Sequence, residues 1–97
     1  MKPMRWNADK NNWLQSERGV SFESMVVAIE GQGLLDILEH PNGAQYPGQR
    51  ILVVAHAGYA YLVPFVEKAD HFFLETVIPS RKATRDYLKQ GEDDVQD

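Results

Sequence analysis

The chain has no cysteine, which excludes a disulfide, a thiolate metal site and a thiol nucleophile. Its three histidines, His40, His56 and His71, do not stand at metal-ligand spacing, and no H-E-x-x-H pattern occurs. There is no phosphate-cradling P-loop and no dinucleotide fingerprint after a strand. A G-x-S-x-G nucleophile elbow is also missing. The glycines of GQGLLD carry no cofactor meaning. Neither a metal nor a cofactor is therefore expected. No apolar run approaches the roughly 18 residues of a membrane span. The opening MKPMRWNADKNN lacks the apolar stretch of a secretory signal. With the missing thiols, this leads to the expectation of a cytoplasmic protein.

Positive charge is scarce as well. Ten Lys and Arg face fourteen Asp and Glu, a net charge of −4 over 97 residues. Glu92, Asp93, Asp94 and Asp97 sit in the final GEDDVQD, so the rest of the chain balances to zero. Such a tail is expected to be disordered. A sharper reading has it shielding the cations beside it until a competing polyanion arrives. Residues 1–90 read as one domain and 91–97 as this acidic tail.

What is present is a concentration of cations in PSRKATRDYLKQ. Wound at about 100° per residue, Arg81, Lys82, Arg85 and Lys89 fall in one quadrant. Ala83, Thr84, Tyr87 and Leu88 fall on the other side and would anchor the helix. Asp86 flanks the row and can relieve one cation. Most charged helix faces are simply solvated. Clustering in a chain otherwise short of cations points instead to an anion, with an extended phosphate backbone, and RNA first, as the ligand.

The remainder reads as an α+β layout. Met4 to Trp6 suits a short strand. Asn7 or Asp9 can cap a helix that runs to Arg18, where Gly19 supplies the stop. Ser21 caps a second helix with Phe22, Met25, Val26 and Ile29 on one face, ending at Gly31 and Gly33. Four strands follow, at 34–39, 51–56, 61–67 and 72–78, as an antiparallel meander. ILVVA suits a central strand covered on one side by helices. Pro64 cannot donate to a ladder, so its strand should be an edge or carry a bulge. HPNGAQYPGQ is a long polar loop, and a final helix starts with Ser80 as cap.

Among the aromatics, Trp13, Phe22, Phe65 and Phe72 are expected in the core. Tyr46 and Tyr59 sit in turns and suit stacking on unpaired bases, with Tyr61 close by. His56 ends an apolar strand and reads as half-buried. His71 reads as solvated. His40 is the one histidine to consider as an acid or base.

The two ends of the chain resemble one family. MRWNADKNNWLQSERGVSFES has an amino-terminal Trp, a Lys, and a helix closing on R-G-V-S-F-E. ETVIPSRKATRDYL has a strand leading into S-R-K-A-T-R. Both are similar to the BrnT family of bacterial type II toxins. Trp6, Asp9, Lys10, Gly19, Val20, Ser21, Phe22 and Glu23 match the opening pattern. Ser80, Arg81, Lys82, Ala83, Thr84 and Arg85 match the closing one. Asn7 and Pro79 depart from it. The resemblance implies a RelE-like fold and a metal-independent endoribonuclease that blocks translation. It also implies an antitoxin partner of ribbon-helix-helix type.

On that basis Arg81, Lys82 and Arg50 are expected to stabilise charge on phosphorus while the RNA's own 2′-hydroxyl attacks. His40, Tyr61 and Glu67 remain open as acid and base. Arg85, Lys89, Lys10, Tyr59 and Tyr61 are expected at the RNA. The alternative is a module of the same fold that binds RNA or an antitoxin without catalysis.

Overall fold

A computed structural model describes residues 2–89. The acidic tail expected at 91–97 lies outside the described residues. The order is β1 (Met4–Arg5), α1 (Ala8–Arg18), α2 (Phe22–Glu30), β2 (Leu34–Glu39), β3 (Gln49–His56), β4 (Tyr59–Glu67), β5 (Phe72–Leu74), β6 (Ile78–Pro79) and α3 (Arg81–Ala83). Beyond α3 the winding widens into a π-helical stretch, Thr84–Leu88. The strands form one mixed sheet in the order β1-β5-β4-β3-β2, with β6 also on β4. Only β1 runs parallel to its neighbour. The α+β class and the sequence of elements agree with the expectation.

Local chemistry explains the helix ends. The Asn7 side chain accepts the Lys10 N–H at 2.8 Å, and Gly19, at φ 68°, stops α1. Ser21 and Ser24 cap α2 reciprocally, each side chain taking the other's backbone N–H. Asn11 ties the two helices together. It is buried, accepts the Phe22 N–H at 2.8 Å and donates to Glu23 Oε1 at 2.7 Å.

α1 and α2 cover one face of the sheet. Leu14, Phe22, Met25 and Ile29 pack there against Leu52, Val54, Val63 and Phe65. The opposite face is also covered, which the sequence reading did not anticipate. Val53 and Ala60 meet Ala83, with Leu35, Leu62 and Leu88 around them. ILVVA is thus apolar on both faces because the C-terminal segment takes the second one.

Two further expectations need correction, those for Trp13 and His71, and for Pro64 the bulge is the alternative that holds. Trp13 is 43% exposed, not core: its neighbour Leu14 takes the inward position at 0%. The ring lies instead beneath two cations, Lys10 Nζ at 4.3 Å and Arg18 Cζ at 4.9 Å from its centroid. Pro64 is on β4, a central strand, not an edge. The ladder breaks opposite it, because Phe65 pairs with Leu74 but Leu62 pairs with Ile78. Three residues of the neighbour therefore face two of β4, a one-residue bulge that splits the expected strand 72–78. The Pro64 carbonyl accepts the Glu75 N–H at 2.8 Å, so the missing Pro64 N–H lies on that interrupted side. His71 is less solvated than expected, with its side chain 20% exposed and Nδ1 at 2.7 Å from Asp70 Oδ1.

The β3–β4 turn places Ala57 at φ 53° and Gly58 at φ 79°. That is the two-residue hairpin turn in which both central residues are left-handed. An L-residue with a Cβ is strained there by roughly 1–2 kcal/mol, and asparagine less so. Ala57→Asn is expected to raise stability by about 0.5–1 kcal/mol, read from urea unfolding midpoints.

Candidate nucleic-acid interface

Ser80 turns the chain off the sheet edge. Its N–H donates to the Ala60 carbonyl at 3.0 Å, and its hydroxyl accepts the Ala83 N–H at 3.0 Å. Thr84 is buried and holds the segment to β4. Its Oγ1 accepts the Ala60 N–H at 2.8 Å and donates to the Ser80 carbonyl at 2.8 Å. The Lys89 N–H reaches back five residues to Thr84 at 3.2 Å, which defines the wide winding. A row drawn at 100° per residue therefore does not describe the cations beyond Ala83. Arg81, Lys82, Arg85 and Lys89 are nonetheless all exposed.

The second anchor comes from β2. Leu34 pairs with Val54 but Asp36 with Val53, so Leu35 is an extra residue. This bulge reverses the alternation. Leu34 faces the α1/α2 core, whereas Leu35 and Asp36 both face the C-terminal segment. Asp36 Oδ2 accepts the Tyr87 hydroxyl at 2.6 Å, and Oδ1 accepts the Ile37 N–H at 2.8 Å. The Tyr87 bond, then the Ile37 N–H, holds the Asp36 carboxyl below its ordinary value. The same carboxylate, with partial burial, pushes the Tyr87 phenol up.

These pKa directions set a pH dependence. A lowered Asp36 contributes stability that is present above the ordinary aspartate value, near 4, and lost as pH falls through its folded value. A raised Tyr87 contributes stability that is present below the ordinary tyrosine value, near 10, and lost as pH rises through its folded value. The stability gap between the native chain and Tyr87→Phe is expected to stay constant from about pH 5 to 9 and to shrink below about pH 4. Denaturant unfolding at each pH measures it.

Between this segment and the sheet runs a groove of about 200 Å³. Leu38, Val53 and Leu62 form its floor, and Lys82, Asp86 and Tyr87 stand along its rim. Lys82 Nζ lies 2.6 Å from Asp86 Oδ2, and Arg85 Nε lies 3.4 Å from Asp86 Oδ1. The Lys82 bond is the main reason the Asp86 carboxyl is held down, with Arg85 assisting. Exposed pairs of this kind contribute little to stability. They do shape the field. Asp86 is shared by two cations, while Arg81 and Lys89 have no carboxylate partner among the described residues.

The structure does not bring the other expected site residues to this row. Arg50 projects from the α1/α2 face, stacked 5.0 Å from the Phe65 centroid and 2.8 Å from Glu67 Oε1. Lys2 holds the other Glu67 oxygen at 2.7 Å. Lys2, before Arg50, is what keeps the Glu67 carboxyl below its ordinary value. Arg50 and Glu67 edge an apolar cavity of about 210 Å³, lined by Met4, Ile37 and Phe72 among others. His40 lies at the far end of β2, its Nδ1 accepting the Asn42 N–H at 3.0 Å and its ring 4.4 Å from that of Tyr46. Tyr59 and Tyr61 sit at the β4 end nearest Arg81, Tyr61 pairing with Pro79. Their rings, 5.8 Å apart, join His56 on the opposite face, where Tyr61 packs on the helical core. Lys10 is on α1 over Trp13.

Sequence reasoning missed the groove. Tyr87 was expected as an anchor only, and Asp36 was not singled out. The residues of the site were visible, but the bulge that aims Asp36 was not. Among the described residues no group of three or more His, Cys, Asp or Glu is placed to hold a metal ion. No described helix is long and apolar enough to cross a membrane. Comparison with family models, with curated proteins and with solved structures gave no match.

Proposed function

We propose that this chain is an RNA-binding protein of the type II toxin kind, paired with a ribbon-helix-helix antitoxin. Its C-terminal cationic segment is the surface that takes the phosphate backbone. The observation that carries this reading is the charge of that segment. Four exposed cations and one carboxylate give a net +3 over residues 81–89, in a chain whose total is −4. Ser80, Thr84 and Tyr87 bond this segment to the sheet, so the cations are presented on a fixed support. A segment whose backbone is already held loses less freedom on meeting a polyanion.

Binding without cleavage is the form of the proposal that the geometry favours. Cleavage through the 2′-hydroxyl needs an acid and a base beside the charge-stabilising groups. His40 is at the far end of β2, and Tyr61 and Glu67 project from the other face. The support for the toxin class is the motif resemblance at both ends of the chain, on an α+β fold. The test is a titration of end-labelled single-stranded RNA with the chain, read by anisotropy and then on a gel. Salt-sensitive binding of intact RNA is expected. Absence of binding at about 50 mM salt rejects the reading. Shortened RNA moves it to an endoribonuclease.

A further inference from the structure

We infer that the groove beside Lys82 takes one unpaired base and prefers a base with an exocyclic amine, such as cytosine, over uracil. This rests on the RNA-binding reading and goes beyond it, because phosphate contacts carry no sequence information. The floor of Leu38, Val53 and Leu62 is apolar and suits the flat face of a base. The groove's volume of about 200 Å³ leaves room for a single ring system. Lys82 at its rim, with Arg81 and Arg85 close along the chain, can hold the flanking phosphates.

Specificity follows from which hydrogen-bonding atoms remain on the rim. The Tyr87 hydroxyl proton is committed to Asp36 at 2.6 Å, so toward any further partner the oxygen can only accept. Asp86 is ionised and accepts only. Its Oδ2 takes Lys82 at 2.6 Å, and its Oδ1 has only the long 3.4 Å contact with Arg85. Ser80 is indifferent, since a hydroxyl both donates and accepts. Lys82 also stands on the rim and keeps N–H groups beyond the one on Asp86. With those spent on a flanking phosphate, the rim beside the base presents acceptors, Tyr87 and Asp86. A cytosine amine donates to such groups, and carboxylate-to-amine contacts are an established mode of cytosine readout. Uracil presents a carbonyl oxygen at the same position and meets them with like charge.

The experiment compares hexacytidylate with hexauridylate, which carry equal backbone charge, so the phosphate contribution cancels. Kd values come from competition against a labelled oligoribonucleotide. Hexacytidylate is expected to bind roughly fivefold to tenfold tighter. In Asp86→Asn the affinity for both is expected to rise, because a negative charge is removed, while the ratio falls towards one. A merely structural role for Asp86 would leave the ratio unchanged. Equal binding of the two oligomers by the native chain, or tighter hexauridylate, overturns this inference and leaves the RNA-binding reading standing. Failure of both to bind overturns the RNA-binding reading, and this inference with it.

Discussion

Arg81→Ala combined with Lys89→Ala is expected to weaken binding of a single-stranded oligoribonucleotide on the order of tenfold near 0.1 M salt. No carboxylate among the described residues pairs with either of these two cations, so none of those carboxylates competes with a phosphate for them. Each phosphate neutralised on a single strand contributes about 0.7 to the slope of log affinity against log salt. The double variant should therefore flatten that slope by about 1.4. Lys82→Ala is a sharper discriminator than a further charge loss. Lys82 already holds Asp86 at 2.6 Å, so its removal releases a carboxylate to Arg85, and the local charge still falls by one. If affinity follows net charge alone, Lys82→Ala costs as much as Arg81→Ala. If Arg81 and Lys89 alone hold phosphates, it costs clearly less, and the flanking-phosphate role of Lys82 at the groove is lost. Anisotropy titrations across a salt series measure both quantities. An unchanged slope in the double variant would remove the cation row from the interface.

Features that depend on a few neighbouring residues were legible in the sequence. Asn7, Ser21 and Ser80 each cap a helix as their short oxygen-bearing side chains imply. β2 occupies 34–39 as its apolar content suggests, bounded by Gly33 and the loop that starts at His40. Features that depend on pairing across the sheet were not legible. The bulge at Leu35 arises from how β2 registers against β3, and no residue type announces it. It decides the face of Asp36 and therefore the existence of the Tyr87 bond. Arg50 shows the same limit from another side. Its place at the start of β3 was readable, but strand alternation gives two faces without saying which one the C-terminal segment will cover. Val53 and Ala60 take that segment, so Arg50 looks the other way. Trp13 illustrates a conflict between size and periodicity. A large aromatic favours burial, yet Leu14 beside it already fills the inward position, and the ring is left over Lys10 and Arg18.

Gly33→Ala is expected to destabilise the fold by about 3 kcal/mol, the upper part of the range for forcing atoms into a closed site. Gly33 is the hinge at which α2 gives way to β2. Its N–H donates to the Ala28 carbonyl at 2.8 Å, and its carbonyl accepts the Ala55 N–H at 2.7 Å. A Cβ at Gly33 would stand 2.6 Å from the Ala55 oxygen and 2.8 Å from the Ala28 oxygen. Both obstacles are backbone, one on β3 and one on α2, so neither can rotate away as a side chain can. Relief requires the helix and the strand to separate, which breaks one of the two hydrogen bonds and opens the core beneath Ile29. For a domain of this size, about 3 kcal/mol corresponds to a fall in Tm on the order of 15 °C. Gly43→Ala is the matched control. Its nearest neighbour would be the His40 carbonyl at 4.0 Å, so the same added methyl should change stability by less than about 0.5 kcal/mol. Thermal and urea unfolding of the two variants side by side decide the matter. A Gly33→Ala chain as stable as Gly43→Ala would mean that α2 is not held against β3 as closely as the Ala28 and Ala55 contacts require, and the support of β2 and Asp36 beneath the cationic segment would have to be drawn differently.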